Sequence, residues 1–349
     1  MDKRTAELLH TLSETHTLTQ EEYGYLLQNH TPESASLAAE LAVTHRKRVY
    51  GNKIFIRGLI EISNICKNNC LYCGIRAGNE FCDRYRLTEE EILSCCREGY
   101  ALGFRTFVMQ GGEDGYFTDE RLITLLRTVK ADYPDCAVTL SLGERSRESY
   151  EKLFAAGADR YLLRHETADP IHYALLHPGT MSFDNRMRCL CDLRRIGYQT
   201  GCGIMVGSPH QTISHLAKDL KFIETFRPQM CGIGPFIPHK DTPFADKPAG
   251  SAEMTCYLLS LVRLMHPGIL LPSTTALGSL IPGGREKGIL AGANVVMPNL
   301  SPMSVRDKYA LYNGKLSSGA ESAQMLADLG KQMNAIGYEI VTDRGDSQV

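Results

Sequence analysis

The stretch 54–74 reads IFIRGLIEISNICKNNCLYCG and carries the main fold and function signals of the chain. Its first part, Ile54–Ile62, is rich in isoleucine and predicts a buried β-strand. The residues that follow contain Cys66, Cys70 and Cys73 in the spacing C-x-x-x-C-x-x-C. Closely spaced thiolates are soft ligands that suit zinc or iron–sulfur centres. The stretch therefore predicts a strand that leads directly into a metal-binding loop.

Similar strand-like segments recur along the chain, with helical segments between them. The predicted strands after the first are Thr106–Gln110, Ala137–Leu142, Arg160–Arg164, Gly203–Val206, Gly232–Phe236, Ile269–Ser273 and Ala293–Met297. The predicted helices include Glu89–Leu102, Asp119–Lys130, Arg147–Ala156, Ser182–Ile196, Ser214–Thr225 and Ala252–Met265. Eight strand–helix units over about 250 residues predict an α/β fold, a (β/α)₈ TIM-type barrel. An open doubly wound sheet is the alternative, and the absence of G-x-G-x-x-G after the first strand disfavours it.

The two ends of the chain are predicted to lie outside this barrel. Leu8, Leu9 and Leu12 form an apolar stripe at helical spacing, and Thr17 or Thr19 can cap a second helix. We therefore expect an N-terminal helical extension over residues 1–50, a barrel over 51–312 and a C-terminal helical segment over 313–349 that packs on the barrel.

Composition indicates which partners are disfavoured and in which cellular compartment the protein is expected. The chain has 349 residues and a formal net charge of -2, without a Lys/Arg tract, so neither nucleic acid nor an anionic membrane is indicated as a partner. No apolar run approaches the ~20 residues that span a bilayer, and the first residues are polar, which predicts a cytoplasmic protein. Nine of the twelve cysteines are scattered without ligand spacing, and we expect them to be small buried side chains.

The number of clustered cysteines separates two kinds of metal site. A structural zinc site closes with a fourth protein ligand, whereas an Fe₄S₄ cube on three cysteines leaves one iron open to another ligand. Cys82 is the one candidate for a fourth thiolate, but it lies nine residues beyond Cys73 and outside any paired C-x-x-C. The spacing favours the three-cysteine cube.

With Tyr72 before the third cysteine, the motif resembles the radical S-adenosylmethionine (SAM) superfamily, whose pattern is C-x-x-x-C-x-aromatic-C. The resemblance implies one [4Fe–4S] cluster on Cys66, Cys70 and Cys73, with SAM bound to the open iron and cleaved to a 5′-deoxyadenosyl radical. Gly111, Gly112 and Glu113 resemble the superfamily's Gly-Gly-Glu element, where exposed backbone meets the methionine part of SAM. Taken alone, those three residues fit an ordinary strand-to-loop turn equally well.

Charged residues follow the predicted fourth strand, where barrel enzymes place their sites. Arg164-His165-Glu166-Thr167 ends that strand, and Arg186 lies on the next predicted helix, where its guanidinium can hold a carboxylate. The alternatives are a solvated strand end and a helix-surface charge. His165 and His239 are titratable candidates, each of which fits a core histidine bonded to backbone equally well.

Longer strings resemble the HydE family of [FeFe]-hydrogenase maturases. They are IRGLIEISNICKNNCLYCGIR, TLSLGE, GADRYLLRHETADP, CGIGPFIPHK, TTALGSLIPGGRE and GANVVMPNLSP, within residues 54–312. The resemblance implies that Ser141, Glu166 and Arg186 contact SAM. It also implies an inner substrate cavity lined by Thr139, Arg164, Thr275, Met297 and Tyr312. For Thr139, Thr275 and Met297 the alternative is filling of the barrel core, and for Tyr312 it is packing at the barrel's end.

The resemblance also implies a reaction and its partners. The substrate would be a small organometallic or amino-acid-derived molecule, an Fe(CO)₂(CN)–cysteine complex processed toward the diiron subcluster. The partners would be a reductant such as ferredoxin or flavodoxin, and other hydrogenase maturases. Some members carry a second cluster on C-terminal cysteines, but this chain has no cysteine after Cys256, and the corresponding stretch is Leu316-Ser317-Ser318-Gly319. A second cluster on those ligands is therefore excluded.

Other functions remain open at this point. A 3-methylornithine synthase-like mutase acting on lysine resembles the same barrel, and would need charged partners for a diamino acid. A biotin-synthase-like sulfur inserter would need a further Cys/Arg set for an auxiliary cluster. A barrel aldolase or a non-catalytic iron–sulfur carrier leaves the combined cysteine and Gly-Gly-Glu motifs unexplained.

Overall fold

The computed structural model describes residues 1–316 and 323–349, beginning with three helices. These are α1 (Lys3–Thr15), α2 (Gln20–Gln28) and α3 (Pro32–Tyr50). Thr19 caps α2, because its side chain accepts from the Glu22 N–H while Glu22 bonds back to the Thr19 N–H. Leu8, Leu9 and Leu12 are buried as their spacing predicts. α3 packs against α10 (Ala252–Met265), which joins the N-terminal helices to the rest of the molecule.

A parallel sheet of six strands forms most of the barrel wall. In spatial order these are β2 (Gly58–Ser63), β3 (Thr106–Gly111), β4 (Ala137–Ser141), β5 (Arg160–Leu162), β6 (Gln199–Val206) and β7 (Met230–Pro235). The helices between and after them are α4 (Glu89–Ala101), α5 (Asp119–Asp132), α6 (Arg147–Ala155), α7 (Pro170–Leu176), α8 (Phe183–Ile196), α9 (Ile213–Phe226), α10, α11 (Thr275–Leu280), α12 (Gly284–Leu290) and α13 (Met303–Arg306). Gly103, Gly157 and Gly197 have positive φ before β3, β5 and β6, as expected for glycines that end helices.

Shorter pairings carry the wall around to the first strand. β1 (Lys53–Ile56) pairs in parallel with β8 (Val295–Val296) on one side and with β9 (Glu339–Val341) on the other. Isolated bridges join Leu270 to Met230 and Pro272 to Val295, so residues 269–273 occupy the place between β7 and β8. With β1 running on into β2, eight positions around the wall are filled. The predicted TIM-type α/β barrel is confirmed, and its carboxyl-terminal edge is where the loops converge.

Three strand predictions need correction. The predicted strand Ile54–Ile62 is two strands that separate at Arg57, because β1 pairs with β8 and β9 while β2 pairs with β3. Residues 269–273 form only bridges, since Pro272 has no N–H to donate to a ladder. The predicted last strand, Ala293–Met297, is reduced to Val295–Val296, and β9 was not predicted at all.

The C-terminal part contains a 3₁₀ turn (Ala323–Met325) and α14 (Leu326–Ala335) before β9. Of the stretch discussed for a second cluster, Leu316 is described, and residues 317–319 lie outside the described residues. The boundaries proposed at residues 50 and 312 remain predictions. Within the described ranges, no helix is both long and apolar enough to cross a membrane.

The scattered cysteines are mostly buried, as expected. Six are buried and Cys82 and Cys256 are half-buried; the six are Cys95, Cys96, Cys136, Cys189, Cys202 and Cys231. Cys191 is exposed, so the expectation of burial is wrong for it. It lies on the outer face of α8.

Candidate functional site

A cavity of about 300 Å³ opens at the carboxyl end of the barrel strands. Most of the predicted site residues line it: Cys66, Cys70, Tyr72, Cys73, Gly111, Gly112, Glu113, Ser141, Arg164, Glu166, Arg186 and Tyr312. They come from the loop after β2, from the ends of β3, β4 and β5, from α8 and from the segment after α13. The barrel thus brings together residues separated by up to 246 positions in the chain, from Cys66 to Tyr312.

Backbone hydrogen bonds from neighbouring segments hold the cysteine loop in place. The Leu71 N–H donates to the carbonyl of Leu176 at the end of α7 (3.0 Å), and the Gly74 N–H donates to that of Leu311 (2.9 Å). Sγ of Cys66 accepts from the backbone N–H groups of Asn68 and Glu113, each at 3.4 Å. N–H groups aimed at a ligating sulfur are one of the features that set the potential of an iron–sulfur cluster.

The three thiols fit an iron–sulfur cluster in their chemistry and surroundings. All three are free and face one cavity. Burial raises all three pKa values, and the neighbouring thiols add to this for Cys70 and Cys73; the pKa of Cys70 rises to about 12. Iron ions would offset the unfavourable burial of the negative thiolates by stabilising them. In the described part of the chain no three His, Cys, Asp or Glu side chains meet closely enough to hold a single ion, and Cys82 is not among the residues that line the cavity.

Gly112 brings the Gly-Gly-Glu segment into contact with the cysteine loop. Its N–H donates to the carbonyl of Ser63 (3.0 Å), and a Cβ at this position would lie 2.3 Å from the Ile65 carbonyl oxygen and 2.7 Å from Cys66 Cβ. Only glycine permits so close an approach. The segment is therefore fitted to the cysteine loop and differs from an ordinary turn.

The carboxylate of Glu113 links the segment to two other parts of the site. Oε2 forms an ion pair with Lys67 Nζ at 3.1 Å, and Oε1 accepts from the Glu144 N–H at 3.0 Å. The Lys67 N–H also donates to the Glu113 carbonyl (3.0 Å). Glu113 therefore fixes the cysteine loop relative to the loop after β4.

Arg186 is buried, so the alternative of a helix-surface charge is wrong. Nε donates to Glu144 Oε1 at 2.6 Å, and Nη1 donates to the backbone carbonyl of Arg164. Burial lowers the pKa of the Arg186 guanidinium, but the ion pair with the Glu144 carboxylate opposes this and favours the charged form. Arg186 thus joins α8 to the end of β5 while it lines the cavity.

Arg164 and Glu166 form an ion pair at the cavity wall, with Nη2 3.1 Å from Oε2. Arg164 Nη2 also donates to the Ile204 carbonyl at 2.6 Å, whereas its Nε is buried without a hydrogen-bond partner. Oε2 of Glu166 is likewise buried and accepts no hydrogen bond. Both groups therefore retain hydrogen-bonding capacity for a ligand.

Tyr72 reaches from the cysteine motif to α7. Its hydroxyl lies 3.2 Å from His177 Nε2, and His177 Nδ1 lies 2.9 Å from the Tyr173 carbonyl. The Nδ1 contact requires a donated proton, so Nε2 accepts from the Tyr72 hydroxyl. This chain of bonds orients the aromatic residue of the motif.

The predicted inner residues are not all brought to the cavity. Tyr312 lines it, and burial raises the pKa of its hydroxyl to about 12. Thr139 lies on β4 two residues before Ser141, with a buried hydroxyl that has no hydrogen-bond partner. Thr275 begins α11 and its neighbour Ala276 lines the cavity. Met297 packs against an apolar cluster that includes Phe55 and Val295.

Several residues of this site were missed from the sequence. Glu144, the partner of Arg186, was present in the quoted string TLSLGE, and its position one loop after β4 was the available signal. Met181 Sδ lies 3.6 Å from Cys70 Sγ, and Tyr309 and Phe236 add aromatic surface to the cavity. Isolated methionine and aromatic residues in loops carry no sequence signal for such a role.

Comparisons with known proteins indicate the same class of enzyme as the site. Residues 60–223 match the sequence model described as the radical SAM superfamily. The chain is 44% identical over 306 residues, 88% of its own length and 87% of the relative's, to a protein of Thermotoga maritima named [FeFe] hydrogenase maturase subunit HydE. The chain belongs to the HydE family of radical SAM enzymes.

Two further relatives place this HydE-family chain among neighbouring radical SAM enzymes. It is 30% identical over 308 residues to the 3-methylornithine synthase of Methanosarcina barkeri, covering 87% of this chain and 85% of that protein. The crystal structure of methylornithine synthase (PylB) has a TM-score of 0.84 to this structure at 27% identity, covering 96% of this chain and 97% of that one. The higher identity to HydE favours the maturase over the mutase.

Membership of the family establishes the class of chemistry. The chain is an enzyme of the radical SAM type, and the family implies a [4Fe–4S] cluster and SAM as its cofactors. A HydE role implies a small substrate and cooperation with other maturases. The three cysteines at the barrel mouth are the group of residues whose chemistry fits the cluster.

Proposed function

We propose that this enzyme is a hydrogenase maturase that converts an Fe(CO)₂(CN)–cysteine complex toward the diiron subcluster of an [FeFe]-hydrogenase. The observation that carries the proposal is the 44% identity, over 88% of the chain, to the HydE protein. The site geometry supports it, because the cysteine loop, the Gly-Gly-Glu segment and the guanidinium of Arg164 share one cavity.

In this proposal Cys66, Cys70 and Cys73 hold the cluster, which with SAM supplies a 5′-deoxyadenosyl radical when both are bound. Gly112 and Glu113 keep the neighbouring backbone close to the cysteine loop. Ser141, Glu166 and Arg186 line the part of the cavity assigned to SAM, together with Tyr72. Their charges and hydroxyls suit the amine, carboxylate and ribose groups of that cofactor.

The substrate is proposed to lie deeper in the barrel. Arg164 presents an unpartnered buried Nε, which suits an anionic cyanide- and carboxylate-bearing complex. Tyr312 adds a hydroxyl at the cavity wall. Thr139, Thr275 and Met297 are proposed to border the substrate from below. Phe236, Leu311 and Tyr309 also line the cavity. Their apolar surface is proposed to limit water, which would otherwise quench reactive species.

A reductant such as ferredoxin or flavodoxin is the proposed electron source, and other hydrogenase maturases are the proposed suppliers and acceptors of the iron complex. The cytoplasm is the proposed compartment, because all twelve cysteines are free and a reducing environment would keep them so.

The test is a reconstituted maturation mixture with SAM, a reductant, the iron–cysteine complex and apo-hydrogenase. Wild-type protein and Cys82→Ala should consume the complex and activate the hydrogenase, whereas Cys70→Ala should do neither. Lysine in a parallel reaction should remain unchanged. Conversion of lysine to 3-methylornithine without hydrogenase activation would contradict the maturase proposal and favour the mutase.

A further inference from the structure

The segment that follows β5 has an unusual backbone conformation at the cavity wall. Glu166 has φ +64°, a region that side chains other than glycine rarely adopt. Among the described residues three other non-glycine residues have positive φ, and Glu166 alone of the four lines the cavity. Such conformations persist only where the surrounding structure enforces them, and they cluster at functional sites.

Backbone hydrogen bonds to β6 fix Glu166 from one side. Its N–H donates to the Gly203 carbonyl (3.0 Å), and its carbonyl accepts from the Met205 N–H (3.4 Å). Two residues later, the Ala168 N–H donates to Oδ1 of Asp219, which lies on α9. The left-handed residue is therefore held between β6 on one side and a helix side chain on the other.

His165 supplies a further contact behind the wall. Its ring packs on Phe222 of α9, with ring centroids 4.6 Å apart. The Gly203 N–H donates to Nδ1 of His165 (3.3 Å), so the neutral ring carries its proton on Nε2. That nitrogen faces Asp219 Oδ1 at 3.9 Å, and both side chains are fully buried.

Burial shifts the pKa values of both side chains toward their uncharged forms, which guides the choice of test variants. Burial, together with the nearby guanidinium groups of Arg164 and Arg186, lowers the pKa of His165 to about 3. Burial raises the pKa of Asp219 well above its usual value. Oδ1 of Asp219 accepts from the Ala168 N–H, and an amide oxygen can accept the same bond.

We propose that Asp219 and His165 are positioning residues for SAM, because they hold the Ala168 N–H and the Gly203 N–H in the arrangement that forces Glu166 into its left-handed conformation. That conformation sets the direction in which the Glu166 carboxylate enters the cavity, where Oε2 forms the ion pair with Arg164 Nη2 at 3.1 Å but accepts no hydrogen bond. The inference rests on the role proposed above for Glu166 in binding SAM.

A double-mutant cycle on the cluster-loaded enzyme tests this, with SAM affinity as the measurement and iron content as the control. Asp219→Leu should weaken SAM binding by roughly 10-fold, the low end for loss of a supporting contact. Asp219→Asn, which keeps the acceptor, should bind SAM as the wild type does. In a Glu166→Ala background, Asp219→Leu should cause no further loss.

His165→Phe is the second variant, for the event that Asp219→Leu does not fold. It keeps a ring against Phe222 and removes the Nδ1 acceptor, so it should weaken SAM binding only while Glu166 is present. The inference would be overturned if Asp219→Leu and His165→Phe lost as much SAM affinity in the Glu166→Ala background as in the wild type, or if both variants bound SAM with wild-type affinity. Either result would leave the proposed role of Glu166 intact. Unchanged SAM binding in Glu166→Ala would refute the role of Glu166 itself and the inference with it.

Discussion

Replacing Gly112 by Ala should disable SAM cleavage while leaving the barrel folded. The added Cβ would lie 2.3 Å from the Ile65 carbonyl oxygen and 2.7 Å from Cys66 Cβ, both below the 3.0 Å at which a neighbour must shift. The obstacles are backbone and a ligand's Cβ, so neither can rotate away. Separating the two loops to ordinary contact requires a movement of about 1 Å, and a misplacement of that size can reduce turnover by about 100-fold.

Gly115 provides the matched control in the same loop. A Cβ at Gly115 meets no atom within 4 Å, so Gly115→Ala should behave as wild type. The assay is anaerobic SAM cleavage, followed as methionine and 5′-deoxyadenosine, with the melting temperature and iron content measured on the same samples. Overpacking of this kind costs about 1–3 kcal/mol, which the fold should tolerate. Cleavage by Gly112→Ala at the rate of Gly115→Ala would refute the argument that the two loops must touch.

Two other predictions follow from buried charges. Arg186→Leu removes the ion-pair partner of Glu144, a charge-assisted bond worth about 1.5–3 kcal/mol. SAM binding should weaken by about 10- to 100-fold, and the melting temperature should fall. Wild-type SAM affinity with an intact cluster would show that Arg186 has a structural role only. Asp346 forms an ion pair with the fully buried Arg160. Burial raises the pKa of the Asp346 carboxyl, but hydrogen bonds from Arg344, Gln199 and Arg160 outweigh this and hold that pKa below its usual value of 3.8. The ionised carboxylate of Asp346 therefore stabilises the fold above pH 3.8, and melting curves should show this stability being lost as the pH falls below that value. Asp346→Asn should have a lower melting temperature at pH 7, and its melting temperature should fall less at acid pH. An unchanged dependence of melting temperature on pH would count against the contact.

The sequence predicted the barrel because hydrophobic periodicity and glycine-ended helices are local signals. Gly103, Gly157 and Gly197 have the positive φ that glycines at the ends of helices commonly adopt. The break at Arg57 depends instead on which strands pair with β1 and β2, and this is a tertiary choice. β9 has only three residues and pairs with β1 from nearly 300 positions away, so no local pattern indicates it.

The candidate site shows the same division. The cysteine loop and the Gly-Gly-Glu segment were visible as motifs, and the structure brings both to one cavity. The ion pair between Glu144 and Arg186 was not visible, because its members lie 42 positions apart on a loop and a helix that only the folded barrel brings together. The left-handed conformation of Glu166 was equally hidden, since glutamate does not favour it and long-range contacts impose it.

The most direct test of the central claim is the iron content and SAM cleavage of Cys70→Ala beside Cys82→Ala, after anaerobic reconstitution. The three-cysteine cluster predicts about four irons per chain in the wild type and in Cys82→Ala, with SAM cleaved on reduction. Cys70→Ala should lose both properties, since Cys70 Sγ faces the cavity and Cys82 is not among its lining residues. A full complement of iron and undiminished SAM cleavage in Cys70→Ala would contradict the assignment of the cluster to this loop.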